Sequence, residues 1–151
     1  MNPARHINAH QGRHWSRRLA LQALYQWQMA GQDLHEIETQ FSEDENAPRS
    51  DFGYLLELLR GVAGRLDELD VSLSGHMDRS LEAVDPVERA ILRVAAYELG
   101  YRPEVPYKVV INEAVDLAKR FGAEQGHRFV NGVLDKLAAR LRPEETRRAS
   151  G

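Results

Sequence analysis

The stretch DFGYLLELLRGVAGRLDEL, Asp51 to Leu69, decides the fold class. Phe52, Leu55, Leu56, Leu59, Val62, Ala63, Leu66 and Leu69 recur at three- and four-residue spacing, which places them on one face of a helix. A strand would need strict apolar-polar alternation, and no such run occurs anywhere in the chain. Ser50 or Asp51 offers the capping oxygen at its start. A stripe this long is not covered by one neighbour, so it predicts a bundle in which this helix has at least two partners.

The flanking sequence repeats the pattern. Upstream, Ala20, Ala23, Leu24 and Trp27 form a helical stripe that Gly31 ends, and Asp33 caps a shorter helix carrying Leu34, Ile37 and Phe41. SEDENAPRS (42–50) is polar, holds a proline and reads as a loop. Downstream, SLSGHMDRS (72–80) punctuates the chain. In DPVERAILRVAAYELG (85–100), Asp85 is the cap, Pro86 stands at the first helical position and Glu88 completes a capping box. YRPEVP (101–106) is a rigid connector. Val110, Ala114, Leu117, Ala118 and Phe121 line the next helix, which Gly122 closes. Val130, Val133, Leu134, Leu137 and Leu141 line the last, which Pro143 stops. The expectation is all-α: six to seven helices in two packed bundles, the first about 13–73 and the second about 76–142. A flexible leader at 1–12 and a disordered tail at 143–151 flank them.

At 151 residues the chain can bury a core without staples, and it has no cysteine to staple with. It contains no secretory signal and no apolar run near the roughly 18 residues of a membrane span, so a cytoplasmic location is expected. The net charge of −3 hides a strong polarity. Residues 1–32 hold four arginines and no acid; residues 33–88 hold 15 acids against 4 bases; residues 89–151 hold 12 bases against 8 acids. Basic ends and an acidic middle suit an anion on one face and a basic partner on another.

Two clusters carry the chemistry. Extended backward, the first helix places Arg13, Arg17, Leu21 and Tyr25 in one i, i+4 row, with His14 and Arg18 beside it. Guanidiniums pair with phosphates and a ring stacks on a base, the arrangement of single-stranded nucleic-acid binding. Arg17 is expected to be exposed, so that Arg17→Glu would weaken RNA binding and spare the fold. His6, His10 and His14 recur every four residues, as metal ligands can, but no Asp, Glu or Cys joins them locally, and polar contacts to nucleic acid suit them better. The second cluster is GAEQGHRFVNG (122–132). There Gln125, His127, Arg128 and Phe129 open a helix whose free N–H groups favour an anion. Gly132 is read as a close-packing position. Glu82, Glu88 and Arg89 frame a polar docking patch. Glu113 and Asp116 read as surface ion-pair partners of Lys119 and Arg120. No phosphate-binding loop, nucleophile elbow, zinc spacing or dinucleotide fingerprint occurs, so no catalytic residue, metal or cofactor is expected.

ALQALYQWQMAG, ERAILRVAAYEL and VPYKVVINEAVDLAKRFGAEQGHRFVNGVLDKLA together resemble the NusB family of bacterial transcription antitermination factors, over about residues 13–142. The resemblance implies two helical bundles and no enzymatic activity. It further implies binding of the single-stranded boxA element of nascent ribosomal RNA leaders with the ribosomal protein NusE, within an RNA polymerase antitermination complex. It assigns RNA contacts to Arg13, His14, Arg17, Tyr25, Gln125, Arg128 and Phe129, and a place near the partner to Glu82 and Glu88. His14 and Trp15 stand where more arginines are usual, and Arg18 compensates. Two other roles fit the same helices: a homodimer that masks its RNA site, and an accessory domain of an RNA-modification system.

Overall fold

The computed structural model describes residues 8–150. The described residues are all helical with no strand, in eight α-helices rather than six or seven. These are α1 (Ala9–Ala30), α2 (Leu34–Ser42), α3 (Phe52–Gly64), α4 (Leu66–Ser74), α5 (Pro86–Tyr101), α6 (Tyr107–Phe121), α7 (Gly126–Leu141) and α8 (Pro143–Ser150). Short 3₁₀ turns lie at Ala47–Arg49 and Leu81–Ala83. The chain divides into two compact units, 1–60 and 61–151, and the division falls inside α3 rather than at the polar segment 72–80.

In the first unit, α1 begins at Ala9, three residues before the expected end of the leader, because Asn8 caps it by accepting from the Gln11 N–H at 2.8 Å. Gly31 ends it in the left-handed conformation (φ 63°), donating to the Trp27 carbonyl. Leu19, Ala20, Ala23 and Leu24 are fully buried, with Ile37 and Phe41 of α2 also in the core. The start of α1 is tied to the start of α3. The Asp51 N–H donates to the Gly12 carbonyl (3.0 Å), and the buried Ser16 hydroxyl donates to the Asp51 carbonyl (2.6 Å). Asp51 itself caps α3 by accepting from the Tyr54 N–H at 3.1 Å. Glu38 of α2 receives both arms of Arg60 (2.8 and 2.9 Å). That hydrogen bond pulls its carboxyl below the usual range against a smaller opposing effect of burial.

The second unit centres on α5, whose residues Ala90–Leu99 are all buried, with α4, α6 and α7 packed on it. Asp85 caps α5 through the Val87 and Glu88 N–H groups at 2.9 and 3.3 Å. The stripe expected to run unbroken to Leu69 is interrupted at Arg65 (φ −124°, ψ 27°), just after Gly64, and α4 starts afresh. Gly61 marks why the backbone matters here: a Cβ on it would lie 2.3 Å from the Tyr97 ring, so only glycine admits that ring against α3.

The eighth helix occupies the expected disordered tail. Arg142, between α7 and α8, is buried and donates to the carbonyls of Glu98, Leu99, Arg102 and Val105 and to Glu145 Oε1, at 2.7–3.1 Å. The last carbonyls of α5 lack helical partners, and a guanidinium supplies five donors at the negative end of its dipole. Glu145 Oε2 in turn accepts from the Tyr107 N–H at the start of α6 (2.8 Å). Burial alone would raise the Glu145 carboxyl, but the Tyr107 amide and Arg142 outweigh it and hold it low.

Candidate nucleic-acid interface

The first cluster lies wholly in the first unit. Arg13 is half-buried with its guanidinium carbon 4.4 Å from the Tyr54 ring centroid, and that of Arg17 lies 5.8 Å from the same centroid. Tyr54 is only 3% exposed, and so is Arg17. Arg17 is therefore not the open phosphate contact expected of it. It is a buried cation beside a buried ring. The i, i+4 row fails for a geometric reason. Each step of four advances about 40° beyond one turn, so three steps rotate the face by about 120°. Arg13 and Arg17 meet Tyr54, Leu21 enters the core, and Tyr25 emerges 40% exposed. The groups of this cluster that reach solvent are Arg13, His14, Arg18 and Tyr25, the first three half-buried and beside Trp15 or Tyr54. Sequence reasoning missed Tyr54. The leucine-rich stretch offers two faces, and the buried one runs through Tyr54, Leu55, Leu58, Leu59 and Val62 instead of through Phe52 and Leu56.

The second cluster lies in the second unit, at the turn between α6 and α7. Gln125 holds φ 68°, the positive-φ conformation that a non-glycine residue rarely takes, and leaves its side chain exposed as α7 begins. Arg128 is exposed; His127 and Phe129 are half-buried. The Arg79 guanidinium carbon lies 4.3 Å from the Phe129 ring centroid. Beside this stack an open cavity of about 440 Å³ is bordered by Arg79, Arg128, Phe129, Gly132 and Lys136, among others. A Cβ on Gly132 would meet nothing within 4 Å, so this glycine serves no close packing and instead keeps the cavity floor low.

Glu88 lies inside the fold and not on the exposed docking patch expected of it. It is 5% exposed, and its carboxylate accepts from the Ala123 N–H at 2.9 Å instead of reaching back to Asp85. A Cβ on Gly126 would lie 2.2 Å from Glu88 Oε2, and one on Gly122 would lie 3.2 Å away. Gly126 is there to admit this carboxylate, whereas at Gly122 the nearer obstacle to a Cβ is the Ala118 carbonyl oxygen, at 2.8 Å. Glu88 is thus a buried post under the loop that presents Gln125, His127 and Arg128, not a surface for a partner. Of the expected docking patch Glu82 is exposed and Arg89 half-buried. Asp116 pairs with Arg120 (3.3 Å), but Glu113 is buried.

Arg5 and His6 lie outside the described residues. Among the described residues no group of three or more His, Cys, Asp or Glu is placed to hold a metal, and no helix is long and apolar enough to cross a membrane.

The model of the NusB family matches residues 14–139. A transcription antitermination protein NusB from Shewanella piezotolerans is 52% identical over 127 residues, covering 84% of this chain and 94% of that protein. Among solved structures, T. maritima NusB superposes with a TM-score of 0.76 at 30% identity, covering 89% of this chain and 96% of that one. A chain from the crystal structure of antitermination factors NusB and NusE in complex with dsRNA gives a TM-score of 0.72 at 26% identity, over 84% and 96%.

Proposed function

The chain belongs to the NusB family, and on that footing we propose that it is a transcription antitermination factor. It binds the boxA element of nascent ribosomal RNA leaders together with the ribosomal protein NusE, and the complex lets RNA polymerase read through terminators. The observation that carries this is the 52% identity across nearly the full length of a transcription antitermination protein. The geometry supports it: two cationic, aromatic clusters with positions open to solvent, and an acidic stretch between two basic ones.

In this reading Arg13, His14 and Arg18 hold phosphates, Tyr25 offers a ring, and Arg17 acts through Tyr54 to position the arm. Gln125, His127, Arg128 and Phe129 form the second contact, on a loop held by Glu88. Glu82 and its acidic neighbours attract the basic partner, since opposite potentials steer encounter. The role requires no catalysis and no cofactor, and it places the protein in the cytoplasm with nascent transcripts and ribosomal proteins.

The test is a titration of labelled single-stranded boxA RNA, with and without NusE, against a scrambled strand and a duplex of the same sequence. Tighter binding of the boxA strand, strengthened by NusE, is the expected result. Equal affinity for the scrambled strand overturns the assignment of specificity. Preference for the duplex would replace the single strand as the ligand.

A further inference from the structure

Trp15 is an aromatic of the arm that the reading above leaves without a role. Its indole has two cations beside it: the guanidinium carbon of Arg18 lies 4.8 Å from the ring centroid and that of Arg49, from the Ala47–Arg49 turn, 5.2 Å. His14 meets the ring edge-on, centroids 6.4 Å apart. The ring borders an open cavity of about 560 Å³ lined by His10, Gln11, His14, Trp15 and Arg49. That volume lies within the roughly 300–1,000 Å³ of small-molecule sites. Among the described residues its lining holds donors, the Arg49 cation and no carboxylate.

The neighbouring ring sharpens the contrast. Tyr54 also stands beside two guanidiniums, but it is almost fully buried, so no base from solvent can stack on it. Trp15 is half-buried, its cavity is open, and Arg49 is exposed. A guanidinium over an accessible indole marks a face that another flat group can take, and the displaced cation is then free to meet that group's phosphate.

We propose that this cavity is a nucleotide pocket. One base of the bound RNA stacks on Trp15, Arg49 and Arg18 turn to the flanking phosphates, and His10, His14 and Gln11 supply donors at the rim. The inference rests on the RNA-binding reading above and deepens it. The flat ring is what favours RNA over an acidic protein segment, which would use the cations and leave the indole idle.

The chain has two tryptophans, so Trp27→Phe leaves Trp15 as its sole indole emitter. This variant is titrated with the boxA strand in the presence of NusE, with the emission of the NusE–RNA mixture subtracted. Quenching that saturates with binding is expected. Measured by anisotropy, Trp15→Ala should weaken binding roughly ten- to a hundredfold, and Trp15→Phe should recover most of the loss. Arg49→Gln should lower the slope of log affinity against log salt by about one. Helical circular dichroism checks that each variant folds, and the phenylalanine variant keeps the test alive if the alanine variant does not. Unchanged emission with Trp15→Phe and Trp15→Ala both within twofold of the parent overturns the pocket while leaving the RNA-binding reading intact. A Trp15→Ala defect confined to NusE binding without RNA overturns it in favour of a protein contact. A parent protein that binds no RNA removes the reading and this inference together.

Discussion

Glu88→Ala tests most sharply how the second cluster is held. The substitution removes a charge-assisted hydrogen bond to the Ala123 N–H at 2.9 Å, a contact of about 1.5–3 kcal/mol. It also removes one buried methylene, at about 0.8 kcal/mol. Releasing a carboxylate from a site only 5% exposed returns part of that sum. The expected net loss is about 2–3 kcal/mol in urea unfolding followed by helical circular dichroism. Glu88→Gln keeps an acceptor for Ala123 and should cost about 1 kcal/mol or less. Hydrogen exchange gives the local signature: the Ala123 amide should lose protection in the alanine variant and retain it in the glutamine variant. Affinity for boxA RNA should follow that protection, because Gln125, His127 and Arg128 ride on the same turn. A Glu88→Ala protein within 0.5 kcal/mol of the parent, with unchanged exchange at Ala123, would refute the argument that this carboxylate is the loop's post.

Four further outcomes follow from the same geometry. Arg142→Ala strips five hydrogen bonds from the junction of α5, α6 and α8 and should cost about 3–5 kcal/mol in urea unfolding; a loss under 1 kcal/mol would show the carbonyls are readily rehydrated. Gly132→Ala meets open space on α7 and should raise stability by up to about 1 kcal/mol through helix propensity alone, whereas any destabilisation would point to a contact at that face. Arg17→Glu should unfold at urea concentrations well below the parent, since it buries a carboxylate against Tyr54, while Arg18→Gln should weaken RNA binding at near-parental stability. Glu38 and Glu145 both titrate below the ordinary carboxylate value, so their contribution is complete above about pH 4.3 and is lost as pH falls through their lowered folded values. Arg60→Ala should therefore flatten the acid limb of the stability profile, and an unaltered limb would remove the Glu38–Arg60 pair from it.

What the sequence made legible was local. Asp85 and Pro86 announce α5 because a cap and a first-turn proline act within three residues of themselves, and Gly31 and Gly122 end their helices by the same short-range logic. What it hid was tertiary. The break at Arg65 interrupts an apolar spacing that carries on into α4, so periodicity alone runs straight through it. The tail EETRRASG looks like a solvated run until Arg142 and Glu145 are seen to find acceptors and donors more than thirty residues away. The binding residues divide in the same way. Residue types at the two clusters point to phosphate and base, but which arginine faces solvent depends on Tyr54, a residue of another helix. Glu88 satisfies a capping-box pattern and yet serves a loop 35 residues downstream. Both errors have one source: a helix pattern states which residues share a face, not what that face meets.

In the function proposed here, this chain delivers boxA recognition to the transcription machinery. Its most direct measurement is terminator read-through by RNA polymerase in an antitermination reaction complete except for the NusB component. Adding this protein should raise read-through on a template carrying boxA upstream of the terminator and leave a template with scrambled boxA unchanged. Equal read-through on the two templates, or none on either, would contradict the account.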